Sequence, residues 1–130
     1  MRKVFCASKV NLNFSASFAA QRGRPAARPQ IKGRVFEVTG CGGLLLTEYA
    51  PGLEKHFRLG EEIVSFRGRR DMLKKVRWLL RHQTEREAIA RDGLRRTLRD
   101  HTYERRLTEM LRLVTGAPRV APGAAGGKTR

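Results

Sequence analysis

Arg34-Val-Phe-Glu-Val-Thr-Gly-Cys-Gly-Gly-Leu-Leu-Leu-Thr-Glu-Tyr49 is the stretch on which the fold turns. Val35, Phe36 and Val38 are its first apolar positions, and they predict a helix over residues 31–41. Gly40, Gly42 and Gly43 then stop that helix, since glycine takes the left-handed conformation at a helix end without steric cost. Leu44-Leu45-Leu46-Thr47 is a short continuous apolar run, the pattern of a parallel strand covered on both faces. A helix, a tight turn and a doubly covered strand in that order form one step of an α/β winding.

The flanks extend the alternation. Upstream, residues 2–8 read as the end of a helix, and Val10-Asn-Leu-Asn-Phe14 alternates apolar and polar as a short strand does. Residues 15–30 are rich in Ser, Ala, Gly, Pro and Arg, with Pro25 and Pro29, and read as a long loop. Downstream, residues 51–57 suit a short helix, and Ile63, Val64 and Phe66 mark a strand over 62–66. Met72, Val76, Leu79 and Leu80 share one face of a helix over 69–82. Thr84-Glu-Arg-Glu87 has the form of a capping box opening a helix over 85–99. Gly93 within that helix points to close packing, because glycine there costs about 1 kcal/mol against alanine. Tyr103, Leu107, Met110, Leu111 and Val114 align on a last helix over 102–114. The expected architecture is α/β: a partial Rossmann-like three-layer domain over residues 1–114, with a helical C-terminal third and a disordered basic tail over 115–130.

Composition narrows the function classes. The 130 residues suffice for one modest domain, and Lys plus Arg total 28 against 12 Asp plus Glu, a net charge of +16. Such an excess favours anionic partners: nucleic acid, acidic membrane or phosphate groups. It is spread along the chain rather than massed in one run, which also fits a plainly solvated basic surface. No zinc finger or RNP aromatic pattern accompanies it, so nucleic acid is not an expected partner on motif grounds. Cys6 and Cys41 lie 35 positions apart with no metal-ligand spacing and are expected as buried, reduced thiols in a cytoplasmic protein. No apolar run reaches the ~18 residues of a membrane span. His56, His82 and His101 are far apart and form no triad or ligand pattern, and Trp78 is expected in the core or at a partner contact.

The same opening stretch holds the candidate chemistry. In open α/β sheets ligands bind outside the carboxyl ends of strands. Glycines let a ligand approach the backbone, free N–H groups can face phosphate oxygens, and the carboxylate of Glu37 can accept hydrogen bonds from ribose hydroxyls. A plain helix-turn-strand connection, with glycine as a C-cap, accounts for the same residues.

The Arg34–Tyr49 stretch resembles the core motif of the CgeB/YkvP-like spore-protein glycosyltransferases, within the wider GT-B group related to family-1 glycosyl transferases. Further pieces agree in order and spacing: Ala7-Ser-Lys-Val-Asn-Leu-Asn-Phe14, Pro51-Gly-Leu-Glu-Lys-His-Phe57, Gly60-Glu-Glu-Ile-Val64, Glu85-Arg-Glu-Ala-Ile-Ala-Arg91 and His101-Thr-Tyr-Glu-Arg-Arg106. The resemblance spans residues 5–114. It implies the C-terminal half of a GT-B fold, which binds a nucleotide diphosphate sugar for transfer to an acceptor hydroxyl, generally without a bound metal and with no cofactor beyond that donor. Leaving-group charge is met in such enzymes by basic side chains and helix N-termini. By the same resemblance Glu37 holds the nucleotide ribose, Gly42 and Gly43 are the glycines beside it, and Arg34 contacts the diphosphate.

Two departures stand out. Where many relatives carry a second Glu, eight residues before the ribose-binding one, this chain has Pro29. The N-terminal domain and the first part of the C-terminal one are expected to be missing, so the acceptor stays unidentified, a missing N-terminal domain is an expected partner, and little activity is expected of the chain alone. The competing reading is a basic nucleic-acid-binding or protein-interaction module, suggested by charge and by exposed sheet edges.

Overall fold

The structure is a computed structural model that describes residues 2–15 and 29–116. Most of the loop expected over 15–30 and nearly all of the tail expected over 115–130 lie outside the described residues. The elements are α1 (Arg2–Ala7), β1 (Asn11–Asn13), α2 (Arg34–Gly40), β2 (Leu45–Glu48), a 3-10 turn (Leu53–Lys55), β3 (Val64–Phe66), α3 (Gly68–Arg81), α4 (Gln83–Asp100) and α5 (Tyr103–Thr115). The three strands form one parallel sheet in the order β1-β2-β3, with Asn11 opposite Leu45 and Leu46 opposite Val64.

The continuous Leu run explains why both faces of the sheet are covered. Successive side chains of a strand point to opposite faces. Leu45 packs with Val35, Val38, Leu53, Phe57 and Ile63 on the α2 side, whereas Leu44 and Leu46 pack with Val64, Phe66, Leu79 and Ile89 on the α3 side. The result is a small three-layer unit consistent with a partial Rossmann-like domain, followed by helices.

Helix α4 ties the layers together. Ile89 lies in the core on the α3 side, while Thr97 donates to Thr39 Oγ1 of α2 at 2.7 Å. Between them Gly93 crosses the backbone of Glu62, so closely that a Cβ there would stand 2.3 Å from the Glu62 carbonyl oxygen. The packing expected of Gly93 is therefore present, against the approach to β3 as well as against Thr39 of a neighbouring helix.

Several local expectations are corrected. Helix α4 begins at Gln83, directly after His82, so Thr84 lies inside the first turn and caps nothing; Gln83 Nε2 donates to Glu87 instead, at 2.7 Å. Arg86, buried at that junction, donates to the Leu79 carbonyl at 3.0 Å and covers the end of α3. In β1 a polar side chain is buried and the apolar side is only partly covered, with Val10 packed on the α3-side core and the Phe14 ring 5.8 Å from that of Phe66. Asn13 is buried and donates to Thr47 Oγ1 at 2.9 Å, while Leu12 on this edge strand and Phe14 just beyond it are exposed. Leu80 is 50% exposed instead of sharing the buried face of Leu79. Cys6 is exposed and Cys41 half-buried, both as free thiols.

Candidate functional site

Helix α2 connects two parallel strands, so it runs back against them. Its first turn lies at the carboxyl edge of the sheet and its last turn at the amino edge. That geometry separates the four residues singled out from the sequence. Arg34 and Glu37 share the first turn and are exposed. Residues three apart on a helix are neighbours on one side, with Cβ atoms roughly 5–6 Å apart. Gly42 and Gly43 sit beyond the other end.

The carboxyl edge near Arg34 and Glu37 is polar and organised. Glu48, the last residue of β2, accepts from both the backbone N–H and the hydroxyl of Ser15, at 3.0 and 2.9 Å. Ser15 in turn accepts from the Gln30 N–H at 3.3 Å, which brings the two sides of the β1–α2 connection together. Beyond β2, the Tyr49 hydroxyl donates to Glu54 at 3.3 Å, and the Arg67 guanidinium lies 3.5 Å from the centre of the Tyr49 ring. Glu54 is held below the usual carboxylate range by backbone N–H donors near it and by this Tyr49 hydroxyl.

Beside Glu37, Phe36 anchors a ring cluster. His56, Phe57 and His101 meet the Phe36 ring at centroid distances of 5.5, 5.6 and 5.1 Å, and the Arg106 guanidinium sits 4.0 Å above it. The His56 and His101 rings lie 5.4 Å apart, and His101 Nε2 is 2.9 Å from the His56 carbonyl oxygen. Burial, followed by the positive field of His101 and Arg106, pushes the His56 pKa down. This cluster joins the 3-10 turn to the start of α5. Residues 45 positions apart gave the sequence reading no signal for it.

The glycine turn at the opposite edge is closed. Gly42 takes φ 79°, and its N–H donates to Thr39; the Gly43 N–H donates to Val38. A Cβ on Gly43 would stand 2.7 Å from the Phe5 carbonyl oxygen and 2.8 Å from Asn11 Nδ2. The space that glycine leaves is filled by α1 and β1, and the amide groups of the turn are engaged within the chain. The helix-turn-strand connection accounts for these glycines through packing.

Two cavities, of about 420 and 330 Å³, are both lined by α3 residues, and neither includes Arg34 or Glu37. Among the described residues no group of three or more His, Cys, Asp or Glu could hold a metal ion, and no helix is long and apolar enough to cross a membrane.

With this geometry in view, comparison with known families is decisive at one level. A family model described as glycosyl transferase-like matches residues 1–112. The chain belongs to the glycosyl transferase-like family. No curated protein and no solved structure matches it. Membership supports a glycosyltransferase-type function. The match runs from α1 through most of α5, so it includes the parallel sheet, the Arg34–Glu37 turn and the Phe36 cluster.

Proposed function

We propose that this domain binds the nucleotide diphosphate sugar of a GT-B-type, CgeB/YkvP-like glycosyltransferase at the first turn of α2. The observation that carries the reading is the pairing of an exposed Glu37 with an exposed Arg34 on one helical turn, at the carboxyl edge of a parallel sheet, in a chain of this family.

The chemistry fits that pair. In a nucleoside diphosphate the ribose and the diphosphate are adjacent, so a carboxylate and a guanidinium one turn apart can meet both. Glu37 accepts hydrogen bonds from the two ribose hydroxyls, and Arg34 donates to diphosphate oxygens in the bidentate manner its planar fork allows. In transfer, the acceptor hydroxyl oxygen bonds to the anomeric carbon of the sugar as that carbon's bond to the diphosphate oxygen breaks, and the hydroxyl proton is released to the departing diphosphate or to solvent. The electron pair leaves on the diphosphate, where a cation offsets the growing charge. The glycine turn contributes indirectly, by fixing where α2 ends and β2 begins. Free thiols at Cys6 and Cys41 support the cytoplasm as the compartment.

Thermal unfolding in the presence of UDP, GDP and ADP tests the reading. A ligand that binds only the folded state at a hundred times its Kd stabilises by about 2.7 kcal/mol. At least one nucleotide is expected to raise the melting temperature. No shift with any of them at millimolar concentration would contradict donor binding.

A further inference from the structure

Within the basic chain, α3 carries a dense local excess of positive charge, away from the α2 site. Helix α3 carries six Lys or Arg against a single acid, Asp71. Leu79 is completely buried, and Met72 and Val76 pack beside it, which fixes the inner face. Arg70, Lys74, Arg77 and Arg81 then fall on the opposite side, within about 60° of arc, in a row about 16 Å long. All four are exposed, and none pairs with a carboxylate among the described residues. Asp71 is turned away to Lys75, at 2.9 Å.

The row borders a groove of about 420 Å³. Trp78, 43% exposed, stands on one flank with its ring stacked on His82 at 4.4 Å and 14°. His82 is itself fixed by the Trp78 carbonyl at 2.8 Å, so the exposed indole is held in place. The apolar side chains on the other flank, Leu73 and Leu80, are 40% and 50% exposed. No apolar side chain occupies the outermost line, where insertion into a membrane would need one. A narrow line of cations beside a fixed ring matches a linear chain of phosphates with bases that can stack, and stacking on a side chain needs unpaired bases.

We propose that the outer face of α3 binds single-stranded nucleic acid, with phosphates along Arg70, Lys74, Arg77 and Arg81 and a base against the exposed Trp78 indole. The surface is separate from Arg34 and Glu37, and it stands or falls independently of the donor reading.

Trp78 is the one tryptophan in the chain, so its fluorescence reports on this face alone. The whole chain is titrated with a twelve-residue oligothymidylate, following Trp78 emission and, with a labelled copy, anisotropy at several salt concentrations. Quenching of Trp78 is expected, along with affinity that falls steeply as salt rises. Combined Arg70→Gln, Lys74→Gln, Arg77→Gln and Arg81→Gln should make the slope of log affinity against log salt shallower by about 2.8. Trp78→Ala, with all charges intact, should weaken binding roughly tenfold. Arg91→Gln with Arg105→Gln removes two exposed cations elsewhere and should leave the quenching in place. Circular dichroism monitors folding of each variant. The proposal is overturned if the oligonucleotide does not bind, or binds without changing Trp78 emission. It is also overturned if the Arg91/Arg105 variant loses as much affinity as the α3 variant. Preferential binding to phosphatidylglycerol vesicles with a blue shift of Trp78 would instead assign the face to a membrane.

Discussion

The two ends of α2 are separated by barely two helical turns, yet they are built for opposite purposes. At the first turn Arg34 and Glu37 face solvent, beside a polar sheet edge organised by Ser15 and Glu48. At the far end the Gly42–Gly43 turn is enclosed by α1, β1 and α4, with its amide groups bonded inside the chain. Charge without packing marks one end, and packing without free polar groups marks the other. A helix in an α/β fold joins the two edges of the sheet, so residues read as one motif along the chain can belong to different surfaces. Substitutions at the closed end should cost stability, while substitutions at the open end should cost ligand affinity.

The largest effect is expected where α4 crosses the sheet edge. Gly93→Ala would place a methyl group 2.3 Å from the Glu62 carbonyl oxygen, a backbone atom that cannot swing aside. Forced overpacking of this kind costs about 1–3 kcal/mol, and this site should lie at or above the upper end. Urea unfolding measures it. A midpoint equal to that of the wild type would mean that α4 does not press on this edge as described.

Gly43→Ala comes next, at about 2 kcal/mol, because its new methyl group would meet both the Phe5 carbonyl and the Asn11 amide. The Asn11 side chain can yield, whereas the tightest contact at Gly93, 2.3 Å, is with the backbone of Glu62. If the turn is structural, the variant that remains folded should bind nucleotide as the wild type does. A stable Gly43→Ala chain with selectively lost nucleotide affinity would move the glycine turn back into the site.

These contrasts mark what the sequence could convey. Strands and their parallel order were legible because Leu44-Leu45-Leu46 leaves no polar face, and Val35 and Val38 fixed which side of α2 turns inward. Glu37 and Gly43 looked like one site because they are close in sequence, and only the direction of α2 places them at opposite edges. Thr84-Glu-Arg-Glu87 has the residues of a capping box, but α4 starts at Gln83, two residues before the expected start, directly off the end of α3. The apolar line of α5 was legible as a helix, yet no α5 residue is buried. His56 and His101 meet through tertiary packing alone, which no local pattern encodes.

A smaller effect tests the packing around Phe36. The His56 pKa is lowered in the folded chain, first by burial and then by His101 and Arg106, from an ordinary value of 6.5. The unfolded chain therefore takes up a proton first as pH falls. The His56 contribution to stability is present above about pH 6.5 and is lost as the medium becomes more acidic. His56→Asn should flatten the fall in stability between pH 7 and 5, as read by urea midpoints across that range. An unchanged pH profile would remove the ring cluster as a titrating contact.

The central claim is that the open end of α2 holds a nucleotide through Glu37, and calorimetry tests it most directly. UDP, GDP and ADP are titrated into the wild type and into Glu37→Gln, with circular dichroism and melting temperature as folding controls. Glu37 is exposed, so the variant should melt as the wild type does. Two charge-assisted hydrogen bonds to ribose are weakened when the carboxylate becomes an amide, so the preferred nucleotide should bind at least about tenfold more weakly, a loss of about 1.4 kcal/mol. Equal affinity for the folded variant and the wild type would contradict the account.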